Sequence, residues 1–360
     1  MSTGLIDPKS RCVKGEPVFR LALVVIARNE SAHIGRLLHS VKPWVDEMLV
    51  LDTGSTDDTR RVAAAAGARV ADFIWCDDFS VARNRALELA DADWHLVLDA
   101  DEWLIAGGET LAALRQQAPT FVGTLDLLDH FNDGQARVAR SRLSRVLPGA
   151  VRYGGRVHEQ PLHALPVQAL NLQVGHDGYL PDRLAQKKGR NKALLAQALA
   201  QNPKDAYLHY QMGKDLSVYD DYANAEFHFG QAAELARTDS AWWLDLVARR
   251  LFGLKQLKQH ALAVQWAQTQ LDICAESPDF FFALGDLLLD WAADEPAEAD
   301  SLLPVIEDAW RRCLEIGERP DLSGAVAGRG SHLAAHNLAL VLEGTGRSVE
   351  ATALLQAYTA

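Results

Sequence analysis

The chain has 360 residues, 48% hydrophobic and 23% charged, an ordinary balance for a soluble globular protein of about two domains. Its formal net charge of −12 argues against a nucleic-acid binder, whose surface has to neutralise phosphates. No run of about 18 uninterrupted apolar residues exists, so no membrane span is expected. Cys12, Cys76, Cys274 and Cys313 lie far apart without a CxxC pair, which argues against a zinc site or disulfide framework and suits a reducing cytoplasm. Met1 to Arg20 is polar and has no apolar signal core.

In chain order, Val18 to Ala27 reads as a buried strand ending at Arg28-Asn29-Glu30, and Ser31 is placed to cap a helix carrying Ile34, Leu37, Leu38 and Val41. Glu47 to Leu51 is a second strand, ending at Asp52. The turn Thr53 to Thr59 feeds an Ala-rich helix that stops at Gly67. Ala68 to Phe73 is a third strand, and Ser80 opens a helix through Arg83, Asn84 and Leu87. Trp94 to Leu98 then runs into Asp99-Ala100-Asp101-Glu102, three carboxylates in four positions. Like charges that close need a cation or strong hydrogen bonds to stay ionised. On an extended backbone Asp99 and Asp101 share a side and reach one ion, and hard oxygen ligands suit Mg²⁺ or Mn²⁺.

This alternation of strands and helices predicts a mostly parallel sheet with helices on both faces. Ligands then sit outside the carboxyl ends of the strands, where Arg28 to Glu30, Asp52 to Asp58 and Asp99 to Glu102 converge. The first strand is not followed by GxGxxG, and no GxxxxGK[ST] occurs, which disfavours dinucleotide-binding and P-loop sites.

The segments Val24 to Glu30, Leu51 to Thr59, Asp78 to Asn84 and Leu98 to Glu102, in that order, resemble glycosyltransferase family 2 with its GT-A fold. The resemblance covers roughly residues 18 to 180 and implies an inverting transfer of a sugar from a nucleotide diphosphate. It implies that Asp52 contacts the donor base and that Ala27, Arg28 and Glu30 line the base and ribose pocket. Arg83 falls near the donor phosphates. Asp99-Ala100-Asp101 matches the family's DxD motif, Asp99 facing ribose and metal and Asp101 ligating the metal, with His176 in the place of a late histidine that completes the shell. A Mn²⁺ or Mg²⁺ cofactor and a UDP-sugar donor, UDP-glucose among the candidates, follow from the same resemblance.

Thr120 to His130 and Ala136 to Leu147 read as strands around Asn132-Asp133-Gly134. The second carries Arg137, Arg140, Arg142 and Arg145, either a solvated sheet face or one arginine meeting an anionic acceptor or the diphosphate. Tyr153 to Pro161 is a loop or strand edge holding His158-Glu159. An inverting transfer needs a base, and Glu159 as carboxylate or His158 as neutral imidazole are the candidates. The family's usual base is an aspartate in a differently written motif, and its processive QxxRW element is missing, which disfavours a polymerase.

From Arg183 the pattern is helical to the end. Ala206 to Leu235, with small residues at Gly213, Ala225 and Ala232, resembles a tetratricopeptide unit, and weaker pairs follow over Trp242 to Ile273, Phe280 to Leu314 and His332 to Tyr358. Trp242-Trp243 reads as core. The organisation expected is an extension (1–17), a GT-A domain (18–182) and a helical repeat domain (183–360). The repeats favour a protein or peptide acceptor, and the resemblance extends to bacterial peptide S-glycosyltransferases. Similarity to core-sugar transferases keeps open a lipopolysaccharide-core or lipid-linked saccharide. A homodimer through the repeats is a further option. A decayed scaffold is opposed by the intact Asp99-Ala100-Asp101, and a nucleotidyltransferase by the missing glycines after Ala27.

Overall fold

The computed structural model describes residues 18–132, 136–176 and 189–358. The N-terminal extension to residue 17, the turn at Asp133-Gly134 and the closing segment Asp177 to Tyr179 lie outside them. The described chain falls into two compact units that are not successive segments. The first takes residues 18–126, 143–155 and 159–175; the second takes 127–132, 136–142, 156–158, 176 and 189–358.

In the first unit, β1 (Leu21–Ala27), β2 (Glu47–Asp52), β3 (Arg69–Asp72) and β4 (Trp94–Val97) alternate with α1 (Ile34–Val41), α2 (Thr59–Ala66) and α3 (Phe79–Ala90). They form the parallel half of an eight-stranded sheet, with β1 between β2 and β4 and β3 outside β2. Beyond β4 the sheet continues through β7 (Ala136–Pro148), β6 (Val122–Asn132), β10 (Val167–His176) and β5 (Glu102–Ala106), and the β4–β7 pairing is antiparallel. The sheet is therefore mixed, parallel from β3 to β4 and antiparallel at β4–β7. A short helix, α4 (Gly108–Leu114), follows β5, and β8 (Arg152–Gly154) and β9 (Gln160–Leu162) form a separate two-stranded hairpin.

β1 is covered on both faces, which is why it reads as a continuous apolar run rather than an alternation. Leu49, Leu51, Val97 and Leu87 are buried together in its core, each contributing roughly 1.5–3 kcal/mol. One expected cap differs. The residue before α1 is His33, without a side-chain cap, and the Ser31 amide donates to Asp57. α3 is capped by Asp78, which accepts from the Val81 amide at 3.1 Å and from the Ser80 hydroxyl at 2.7 Å. Gly67 ends α2 at φ +97°, a left-handed turn that glycine adopts without strain.

In the second unit the helices are α5 (Arg190–Gln201), α6 (Ala206–Val218), α7 (Tyr222–Leu235), α8 (Trp243–Gln256), α9 (His260–Gln270), α10 (Pro278–Asp294), α11 (Ala299–Ile316), α12 (His332–Gly344) and α13 (Ser348–Tyr358). Each packs on the next, and α8 also contacts α6 and α10, as stacked helix pairs do. Gly213 sits against the Phe229 ring, where a Cβ would come within 2.5 Å, and Ala225 and Ala232 are buried. Trp243 is core, its indole donating to Gln270; Trp242 is only half-buried and stacks on Tyr210 at 4.7 Å.

One connection in this unit is long. Residues 317–331, between α11 and α12, fold back onto earlier helices. The Val326 amide and the Arg329 guanidinium both donate to Asp279 at the start of α10, at 3.1 and 2.8 Å. Gly324 lies against Asp245 of α8, so closely that a Cβ would fall 2.2 Å from the carboxylate. Asp245 in turn accepts from the Tyr210 hydroxyl of α6 and from Arg249.

Candidate active site

The loops leaving β1 and β2 are zipped together. The Asn29 amide donates to the Ser55 hydroxyl at 3.0 Å, the Thr56 amide to the Asn29 side chain at 2.8 Å, the Glu30 amide to the Thr59 hydroxyl at 2.7 Å and the Thr53 amide to the Ala27 carbonyl at 2.9 Å. Most of the polar residues that make these motifs conspicuous are thus locks between two loops. Arg28 projects from this frame exposed, and Glu30 is half-buried. Asp52 is 2% exposed; its Oδ2 accepts from the Gly54 and Ser55 amides at 3.2 and 3.0 Å, while Oδ1 is buried with no hydrogen-bond partner. β2 and β4 flank β1, so Asp52 and the acidic segment after β4 stand roughly 10 Å apart, two strand spacings.

The acidic segment is not extended. β4 ends at Val97, and the Glu102 amide donates to the Asp99 carbonyl at 3.0 Å, closing a turn over Asp99 to Glu102. The alternation that would set Asp99 and Asp101 on one side does not apply. Glu102, which opens β5 and is 2% exposed, reaches back and accepts from the Asp99 amide at 2.8 Å.

Two of the three close carboxylates, Asp99 and Glu102, meet arginines. The antiparallel register pairs Leu96 with Val146, which sets Arg145 beside the end of β4. Its Nη2 donates to Asp99 Oδ2 at 3.0 Å and to Glu102 Oε1 at 3.2 Å. Arg83 lies on the buried face of α3; its Nη2 donates to Asp99 Oδ1 at 2.6 Å and its Nε to Glu159 Oε1. Burial opposes charge on Asp99, but the two guanidiniums overcome it and hold the carboxyl well below the usual range. The same ion pairs keep Arg83 and Arg145 protonated despite their burial.

Glu159 stands just before β9, whose Pro161 pairs with Tyr153 in β8. Tyr153 is 5% exposed, its ring lies 5.5 Å from the Arg83 guanidinium, and burial pushes its phenol up. The Asn84 side chain accepts from the Tyr153 amide at 2.8 Å and donates to its carbonyl at 2.9 Å, tying β8 to α3 one residue from Arg83. Arg83 Nη1 and the Tyr153 hydroxyl are buried without a hydrogen-bond partner. His158 has φ +50° and is counted with the second unit, where Arg156 donates to Gln197 at 2.9 Å. Burial, with Lys214 adding to it, lowers the His158 imidazole to about 4, so it is neutral at pH 7.

The structure thus brings together Arg83, Asp99 and Glu159 of the expected residues. Ala100 and Asp101 are buried within the same turn. His176 ends β10 and is counted with the second unit. Among the described residues no three His, Cys, Asp or Glu side chains are grouped to hold a metal ion. The donor chemistry still fits one: the carboxylates of Asp99, Glu102 and Glu159, gathered on two guanidiniums, offer the hard anionic oxygens such an ion takes. The sequence reading placed Glu102 in the acidic segment at the crevice but did not assign Tyr153 or Asn84 to this cluster. Among the four arginines on β7 it did not single out Arg145; the strand register does.

Residues 22–142 match the family model of glycosyl transferase family 2, and the chain carries a domain of that family. A TPR repeat-containing protein of Synechococcus elongatus is 36% identical over 241 residues, 63% of this chain and 60% of its own length. The SPbeta prophage-derived glycosyltransferase SunS of Bacillus subtilis is 30% identical over 206 residues, 54% of this chain and 49% of its own. Among solved structures, glucosyl-3-phosphoglycerate synthase from Mycobacterium tuberculosis, in complex with Mn²⁺, UDP and glucosyl-3-phosphoglycerate, is 27% identical with a TM-score of 0.26, covering 31% of this chain and 44% of that one. The chain spans about half to three fifths of the length of the curated relatives it matches.

Proposed function

We propose that the first unit is the catalytic domain of an inverting glycosyltransferase that moves a sugar from a UDP-sugar to a protein or peptide acceptor. One observation carries the reading most. Buried polar atoms without partners, Asp52 Oδ1, Arg83 Nη1 and the Tyr153 hydroxyl, lie in separate elements of the unit that carries the polar strand ends. Unsatisfied buried polar groups are costly, and these three would each be met by a polar ligand. Asp52 offers an acceptor for an N–H of the donor base, and Arg83 offers a donor for the diphosphate. Asp101 and Asp99 supply hard oxygens for Mg²⁺ or Mn²⁺, which when bound neutralises charge on the leaving diphosphate.

Glu159 is the base in this reading. As the acceptor nucleophile bonds to the anomeric carbon, its proton passes to the Glu159 carboxylate. The bond from that carbon to the diphosphate oxygen breaks, and its electron pair leaves with UDP. Glu159 is preferred to His158 because it shares a hydrogen-bonded cluster with Arg83 and Asp99. The helical unit supplies acceptor-binding area, which the stacked pairs support.

A screen of nucleotide sugars for hydrolysis, with mass spectrometry of candidate acceptors, tests the reading. Turnover of a UDP-sugar that is lost reversibly in EDTA and lost in Asp101→Asn is expected. Turnover undiminished in EDTA, or no nucleotide sugar consumed by a folded protein, overturns it.

A further inference from the structure

Arg83 holds two carboxylates that the proposed reaction uses in different ways. Through Nη2 it grips Asp99, on the diphosphate side, and through Nε it grips Glu159, the base. Its third nitrogen, Nη1, is buried and makes no hydrogen bond. As long as this guanidinium holds Glu159, one oxygen of the carboxylate, Oε1, is engaged by an N–H donor. A diphosphate is the stronger competitor for a guanidinium, because it presents more charge and accepts in the bidentate geometry that arginine favours. The neighbours allow a local change rather than a rebuilding of the site. Asn84 pins the backbone of Tyr153, so α3 and β8 stay tied. Gly155 at φ +97° and His158 at φ +50° flank the turn that leads to Glu159.

We infer that Arg83 makes the base donor-gated: the donor diphosphate engages Nη1, draws the guanidinium from Glu159, and only then leaves Oε1 of that carboxylate open to the acceptor proton. This rests on the glycosyltransferase reading. Its consequence is an order, donor before acceptor. A second consequence is that deprotonation of the acceptor is not assisted in the empty enzyme.

The test is UDP binding by calorimetry on the full chain, in EDTA and again in Mg²⁺. Glu159 competes with the diphosphate for Arg83, so Glu159→Gln should tighten UDP binding about five- to tenfold, the scale of one partly buried ion pair. Arg83→Met should weaken it about tenfold or more. The double variant Arg83→Met/Glu159→Gln should bind as Arg83→Met does, since the competition needs Arg83. Glu159→Ala removes the same charge and carries the comparison if Glu159→Gln does not fold. Were Glu159 only a prop that holds Arg83 ready for the diphosphate, both Glu159 variants would weaken binding. Weakened or unchanged affinity overturns the gate while leaving a UDP-dependent enzyme intact. No binding of UDP by the unaltered protein, with or without Mg²⁺, overturns the glycosyltransferase reading itself and the gate with it.

Discussion

Replacing Arg145 by methionine keeps most of the side chain's volume and removes one of the two cations that offset the acidic turn. Its Nη2 serves two carboxylates, at 3.0 Å on Asp99 and 3.2 Å on Glu102. The two arms are not equal. The Asp99 side chain is 36% exposed and keeps Arg83, so solvent screens that arm and its loss costs under about 1 kcal/mol. The Glu102 side chain is 2% exposed, so solvent does not screen that arm. Stripping one partner from a buried pair costs about 3–5 kcal/mol, and the low end applies because Glu102 still accepts from the Asp99 amide. Arg145→Met should therefore destabilise the first unit by about 3 kcal/mol, or roughly 6–12 °C in melting temperature. Native-state hydrogen exchange of the β4 amides reads this unit separately from the helices. Adding Glu102→Gln removes that buried charge and should recover all but about 1 kcal/mol. A cost below about 1 kcal/mol for Arg145→Met, or strictly additive losses in the double variant, would show that Arg145 is not the counter-charge.

Other outcomes follow from the same geometry. Asp52→Ala removes the acceptor that the donor base is proposed to meet, and UDP affinity should fall about ten- to hundredfold by calorimetry, the worth of one charge-assisted hydrogen bond. Gly213→Ala drives a methyl into the Phe229 ring at 2.5 Å and should cost about 1–3 kcal/mol, measured by exchange of α6 and α7 amides; a neutral result would mean the two helices part easily. His95 is 1% exposed and lowered to about 4, first by burial and then by Arg152. The unfolded chain then binds the extra proton, so first-unit stability should decline as pH falls from about 6.5 to 4, and His95→Gln should flatten that slope.

The parallel half of the fold was legible because strands buried on both faces write themselves as apolar runs, as Leu21 to Ala27 does, and Gly67 marks a helix end by its conformational freedom. The site was legible where one local motif holds the chemistry, as at Asp99 and Arg83. It was not legible where the partner comes through long-range pairing. Arg145 looks like its neighbours Arg140 and Arg142 in sequence, and only the Leu96–Val146 register sends it to the acidic turn. Ser31 looked like a cap because serine is a good one, but the His33 and Ile34 amides within its reach donate to the Glu30 carbonyl. The turn over Asp99 to Glu102 was hidden because Glu102 opens a strand of its own while its side chain closes the loop behind it.

The connection over residues 317–331 changes how the helical unit should respond to force and heat. In an array where each pair touches only its neighbours, unfolding starts at an end and peels inward, one repeat at a time. Here the chain between α11 and α12 is fastened to α10 by Asp279 and rests on α8 at Asp245, which is itself bonded to Tyr210 of α6. Pulled from the C-terminus, α12 and α13 should come away first and cheaply. The next step has to free a connection laid across two helix pairs at once. The central helices therefore form one mechanical block, yielding in a single larger event instead of a ladder of small ones.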